Sequence, residues 1–248
     1  MSGNSPIITP DPPSIPEGRR VYAIGDVHGR MDLLDRLIRM IGDDDTRRPQ
    51  LETEIILLGD LVDRGPDSAG VVARAMTGSA GFAPLHTLMG NHEEQLVDSV
   101  AGDGEMISAW LFYGGRETLQ SFGVPEQIIA SGDETAMMRA ARAVIPSDVI
   151  RWLRALPMSR RIGDYLFVHA GVRPGVPLDE QDPVDMRWIR REFLESEADH
   201  GAVVVHGHSI RPEVQMCPNR IGIDTGAYAS DRLTAIGLEG ARRWVLQT

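Results

Sequence analysis

The sequence predicts an α/β fold: a mainly parallel sheet covered by helices, with a second sheet packed on the first. Three observations carry this. Apolar runs alternate with helical stretches through the first half of the chain. A polar, glycine-bearing motif directly follows each of the first three runs, and strands return after a helical middle. Alternation of this kind places ligands at the carboxyl ends of the strands.

Residues 20–24 read as the first strand, ending at Asp26. A helix follows over about 30–41, where Leu33, Leu34, Leu37, Ile38 and Ile41 share one face. Asp43, Asp44 and Asp45 read as a solvated loop, because acids are unfavourable at a helix C-terminus. Residues 54–58 form the second strand, Pro66 suits the first turn of the next helix, and 84–89 form the third strand. From 93 to about 156 the pattern is helical, punctuated at Gly114-Gly115, stopped at Gly123-Val124-Pro125 and split near Pro146. Residues 159–162 and 165–169 flank Gly163-Asp164, a hairpin signal. Stretches 202–206, 220–223, 232–238 and 242–246 are further strands, the last two joined at Glu239-Gly240.

A chain of 248 residues with 42% hydrophobic and 25% charged residues suits one soluble domain over 19–248. Five prolines between residues 6 and 16 make 1–18 a flexible, solvated tail. The net charge of -11 argues against a nucleic-acid or anionic-membrane partner. No apolar run approaches the ~20 residues that span a bilayer, and residues 1–18 lack the basic start and apolar core of a secretory signal. The single cysteine, Cys217, excludes an internal disulfide and reads as a buried small hydrophobe. A reducing cytoplasm is the expected compartment, and the oligomeric state is left open.

The strand-end motifs are Gly25-Asp26-Val27-His28-Gly29, Gly59-Asp60-Leu61-Val62-Asp63-Arg64-Gly65 and Gly90-Asn91-His92-Glu93. Asp26 and His28, two apart in an extended chain, point the same way and can hold one metal ion. Asp60 can bridge two ions through its two oxygens, and Asn91 offers a neutral oxygen to the second. His169 and His208, each at or after a later strand, supply nitrogen. Oxygen and nitrogen donors without thiolate favour two divalent ions, manganese first, with iron or zinc as alternatives. Such a pair activates water for in-line displacement at phosphorus. Arg64 and a second arginine suit the equatorial phosphoryl oxygens. His92, pointing opposite to Asn91 if the strand continues, suits a general acid, with Asp63 orienting its ring.

These motifs resemble the phosphoprotein phosphatase family of metal-dependent serine/threonine phosphatases, especially its bacterial and phage (lambda-phosphatase-like) members. The likeness runs over residues 20–238 and includes Trp110 to Leu119, Arg187-Trp188-Ile189-Arg190, and Ile223-Asp224-Thr225-Gly226. It implies the calcineurin-like fold, a central β-sandwich of two mixed sheets flanked by helices. It implies Asp26, His28, Asp60, Asn91, His169 and His208 as metal ligands and His92 as general acid with Asp63 as its partner. Arg64 and Arg190 are implied as phosphate-binding arginines, and a phosphorylated protein or peptide as substrate. Met89, Ala170 and the lack of a C-terminal tyrosine motif depart from eukaryotic members; Tyr228 is nearby but does not match that motif.

Two alternatives differ in class. A symmetrical diadenosine tetraphosphate hydrolase shares the metal core. By resemblance, those enzymes lack the aspartate found here as Asp63 and close the third motif with aspartate rather than Glu93. A non-catalytic metal-bound scaffold predicts a lost catalytic residue, whereas Asp63, Arg64 and His92 are all present. Phosphodiesterases with Gly-His-x-His are disfavoured by Ile210.

Overall fold

A computed structural model describes residues 12–101 and 107–248. Its strands are β1 (Arg19–Ile24), β2 (Glu52–Leu57), β3 (Leu85–Thr87), β4 (Ser159–Ile162), β5 (Tyr165–Val168), β6 (Val203–His206), β7 (Gln215–Met216), β8 (Arg220–Gly222), β9 (Thr234–Glu239) and β10 (Arg242–Gln247). They form two sheets, ordered β10-β9-β1-β2-β3 and β4-β5-β6-β8-β7. In the first, β1, β2 and β3 run parallel, and β9 is antiparallel to both of its neighbours, β1 and β10. In the second, β5, β6 and β8 run parallel, with β4 and β7 antiparallel at the edges.

Alternation along the strands builds three cores. Val21 and Ala23 of β1 face the second sheet and pack with Ile56, Phe167, Val205 and Ile236. Tyr22 and Ile24, pointing the other way, meet the predicted face Leu33, Leu34, Leu37, Ile38 and Ile41 of the helix Met31–Thr46. Leu166, Val168 and Val204 on the outer face of the second sheet pack against Met186, Ile189 and Phe193. The result is a sandwich with helices on both outer faces, as the strand pattern predicts.

Four local expectations are corrected. The first helix continues to Thr46, through the acidic run. Asp44 accepts from the Tyr22 hydroxyl at 2.7 Å and the Trp244 indole at 2.9 Å, and Asp45 accepts from Arg20 at 2.6 Å. Those partners offset the unfavourable helix end. Pro66 lies outside the next helix, Ser68–Met76, because Asp67 caps it by accepting from the Gly70 amide at 2.9 Å. The described part of the predicted tail is docked rather than solvated. Ile15 is 2% exposed within the intersheet core, its amide donates to Gly240 at 2.9 Å, and the Ser14 amide donates to Asp164 at 2.9 Å. The remaining residues expected in the tail, 1–11, lie outside the described residues. Cys217 is half-buried, not buried. Among the described residues no helix is long and apolar enough to cross a membrane.

Candidate metal centre

The parallel strands of both sheets end at one edge, and the loops leaving β1, β2, β3, β5 and β6 carry the predicted residues to a common point. The backbone there is strained. Among the described residues, six non-glycine residues have positive φ, and five of them are His28 (45°), Asp60 (49°), Asp63 (74°), Arg64 (69°) and His208 (62°). His28 therefore reaches the site from a turn, not from the extended chain expected. Likewise Asn91 and His92 do not continue β3. They open the helix Asn91–Ala101, and the first turn of that helix aims them inward.

Asp60 stands at the centre. Its Oδ2 lies 3.6 Å from His28 Nε2 and 3.8 Å from His92 Nε2, and its Oδ1 lies 3.4 Å from His169 Nε2. Two groups able to hold a cation thus share it: His28–Asp60–His92 and Asp60–His169–His208, all buried. Tautomers are set by the backbone. His28 Nδ1–H donates to Val62 at 2.7 Å and His169 Nδ1–H to Leu58 at 3.0 Å, so each Nε2 presents a lone pair. Burial holds the pKa values of His28, His169 and His208 below the ordinary range. For Asp60 burial acts the other way, but the surrounding imidazoles outweigh it and its carboxyl is held low, hence charged. His169 Nε2 faces Asn91 Oδ1 at 2.9 Å, and His208 Nε2 is buried without a hydrogen-bond partner among the described residues. Converging lone pairs around a buried carboxylate are costly on their own and fit divalent cations.

Asp26 is differently placed. Its carboxylate accepts from the His208 amide at 3.0 Å and neighbours Asp224, outside both converging groups. Burial, with Asp224 and Asp60 close by, raises its pKa well above the carboxylate range.

Beside the cluster, His92 Nδ1–H donates to Asp63 Oδ2 at 2.6 Å. Asp63 is fully buried and accepts from the Trp110 indole at 2.9 Å and the Thr118 hydroxyl at 2.6 Å. Burial alone would lower the His92 pKa, but Asp60 and Asp63 outweigh it and raise it. Arg64 spans the two rings, with Nη1 at 2.8 Å from His28 Nε2 and Nη2 at 3.1 Å from His92 Nε2. Of the clustered arginines, Arg187 is committed to Glu94 and Arg191 to Glu195. Arg190 is exposed, its side chain has no hydrogen-bond or ion-pair partner among the described residues, and its charge acts on His169 and His208. His206, His86 and His200 lie outside the cluster; His206 Nδ1 instead meets the Gly207 carbonyl at 3.0 Å.

Several contributors were missed from the sequence. Glu93 accepts from the amides of Asp60 (2.8 Å), Leu61 (2.7 Å), Val62 (3.3 Å) and Gly90 (3.0 Å), so it shapes two loops of the candidate site at once. Its place in the third motif was the available signal. Trp110 and Thr118 carried no signal of contact with Asp63, since nothing in their spacing reports it. Tyr228 is also at the site, its ring 5.4 Å from His28 and 4.7 Å below the Arg64 guanidinium.

The family model for calcineurin-like phosphoesterases matches residues 19–236. The chain belongs to this family. As a calcineurin-like phosphoesterase it resembles the symmetrical bis(5'-nucleosyl)-tetraphosphatase of Acidovorax sp. (strain JS42), at 34% identity over 158 residues. That match covers 62% of this chain and 44% of the relative, so the chain spans less than half of that relative's length. It also resembles serine/threonine-protein phosphatase 1 of Salmonella typhimurium, at 33% identity over 97 residues, 39% of each chain. Among solved structures, a protein proposed to be a diadenosine tetraphosphatase superposes with a TM-score of 0.64 at 23% identity, covering 95% of this chain and 98% of its own. A cold-active protein tyrosine phosphatase gives 0.57 at 19% identity, covering 98% and 87%. At such identities these two likenesses speak for the fold alone. The phage-phosphatase type expected within the family is not what the curated relatives single out; the relatives from Acidovorax ebreus and Dechloromonas aromatica are, like the one from Acidovorax sp., named symmetrical tetraphosphatases.

Proposed function

We propose that this phosphoesterase is a dimetal phosphohydrolase whose substrate is a dinucleoside tetraphosphate, split symmetrically. The observation that carries the reaction type is Asp60 shared between two imidazole groups with Arg64 alongside. His28, Asp60 and Asp26 would hold one ion, and Asp60, Asn91, His169 and His208 the other, with manganese the preferred metal. When bound, the ions supply water activation and charge neutralisation at phosphorus. Arg64 on one rim and Arg190 on the other bind phosphoryl oxygens. His92 gives its Nε2 proton to the leaving group while Asp63 keeps the ring oriented. The substrate choice rests on the names of the curated relatives, which favour the tetraphosphate over a phosphoprotein.

One observation favours a second reading, hydrolysis of phosphoserine or phosphothreonine in a protein or peptide. A serine alkoxide is a strong base and cannot depart unprotonated, whereas a nucleoside diphosphate departs readily. The buried Asp63–His92 pair, with the raised His92 pKa, is the device that a poor leaving group needs.

Manganese-loaded enzyme should be assayed in parallel on diadenosine tetraphosphate, a phosphoserine peptide and a phosphotyrosine peptide. Higher kcat/KM on the dinucleotide upholds the first reading, and higher kcat/KM on phosphoserine establishes the second. Faster phosphotyrosine turnover sinks both. No turnover of any substrate leaves a metal-binding scaffold and refutes the hydrolase.

A further inference from the structure

We propose that Phe112, Tyr113 and Tyr228 form a stacking site for a nucleobase, fed by the phosphoryl chain held at Arg64. The inference deepens the first reading above and rests on it. Two helices meet across a kink at Leu111–Gly115, where Gly114 takes the non-helical φ of 108°. The kink is locked against the phosphate arginine: the Arg64 amide donates to the Gly114 carbonyl at 3.0 Å, and a Cβ on Gly114 would meet Arg64 Cγ at 2.6 Å.

The consequence is outward presentation of two aromatic rings. Trp110 and Gly115 are buried on either side, while Phe112 is 85% and Tyr113 48% exposed, their rings edge to face at 5.5 Å. Together with Tyr228, Arg64 and Glu117 these rings line a shallow cleft of about 340 Å³. Large aromatic surface left in water beside an anion-binding side chain marks a contact surface rather than a folding need.

The chemistry selects the occupant. A phosphoryl group on Arg64 sends whatever it carries along this cleft. Flat rings receive a flat ring: stacking on aromatic side chains accepts any base because each has a π face. Tyr228 is already paired with the Arg64 cation at 4.7 Å, so the stack continues to the guanidinium. Glu117 has no hydrogen-bond partner among the described residues, and its carboxylate can only accept. It suits the amino edge of a base. A peptide would ask for backbone partners along its path, and the cleft offers rings and one carboxylate.

The test compares wild type with the double variant Phe112→Ala/Tyr113→Ala, first checked for an unchanged melting temperature. Both are assayed with manganese on diadenosine tetraphosphate and on inorganic tripolyphosphate, and ADP binding is measured by equilibrium dialysis. The expected result is a fall of about tenfold or more in the dinucleotide-to-tripolyphosphate ratio of kcat/KM, with a matching loss of ADP affinity. Phe112→Trp should preserve both. An unchanged ratio, or equal losses on both substrates, overturns the stacking site. Should wild type fail to split the dinucleotide, the substrate reading falls separately. The dialysis then decides alone, and equal ADP affinity in wild type and variant overturns the proposal.

Discussion

Replacing His92 with asparagine separates two roles that its position allows. Its Nε2 lies 3.8 Å from Asp60 Oδ2, inside one of the two groups able to hold a cation, so the ring could be a ligand. Its Nδ1–H is bound to Asp63, and the raised pKa favours a ring that keeps its second proton, which a ligand cannot. The donor role predicts unchanged metal content in His92→Asn, read by elemental analysis after desalting. It also predicts a loss that depends on the leaving group. On an alkyl phosphate kcat should fall about 10²–10⁴-fold, the usual contribution of a positioned acid, or about 2.7–5.5 kcal/mol. On p-nitrophenyl phosphate, whose leaving group departs as a weak base, the fall should stay under about tenfold. A plot of log kcat against leaving-group pKa should therefore steepen in the variant. Loss of a metal equivalent, or an equal loss across the series, refutes the donor role.

Gly90→Ala would place a Cβ 2.3 Å from Asp60 Oδ1 and 2.4 Å from the Asp60 amide, so metal affinity and turnover should fall together, seen by titrating manganese into chelator-stripped enzyme. Ile15→Ala, removing a side chain 2% exposed between the sheets, should cost about 2–4 kcal/mol in urea unfolding; no change would mean that residues 12–18 are not part of the fold. Burial works against the Asp44 charge, but hydrogen bonds from Arg48, Tyr22 and Trp244 prevail and hold its carboxyl below the ordinary range. The unfolded chain then binds more protons below about pH 4, and the stability due to Asp44 is lost as pH falls through that region. Asp44→Asn should be less stable than wild type at pH 7, and the gap should close on acidification; a gap independent of pH contradicts the assignment.

The sandwich was legible because its strands are short, apolar and followed by polar motifs, and because periodicity alone identified the buried face of the helix Met31–Thr46. What escaped was set by contacts between distant segments. Asp44 and Asp45 looked like loop residues because Trp244, 200 positions on, and Arg20 on β1 are invisible to a local window. Ile15 looked like part of a tail because its partners lie on the turn at Gly240 and between two sheets.

The site divides in the same way. Residues able to meet a cation carry a restricted chemistry, which makes their types stand out in a sequence, whereas their directions do not: His28 arrives through a left-handed turn and Asn91 through a helix start. The residues that make those directions possible have no such signature. Glu93 satisfies four amides of two loops, and Trp110 and Thr118 hold a carboxylate that holds an imidazole. Strain at Asp60, Asp63 and Arg64 persists only because these supports over-determine it. It follows that Glu93→Gln, which keeps the volume but turns one oxygen into a donor facing backbone amides, should disturb the positions of Asp60 and Arg64 more than it unfolds the protein. Manganese affinity would then weaken at least tenfold while the melting temperature drops by only a few degrees. A large loss of stability with unchanged metal affinity would show instead that the glutamate serves the fold and not the site.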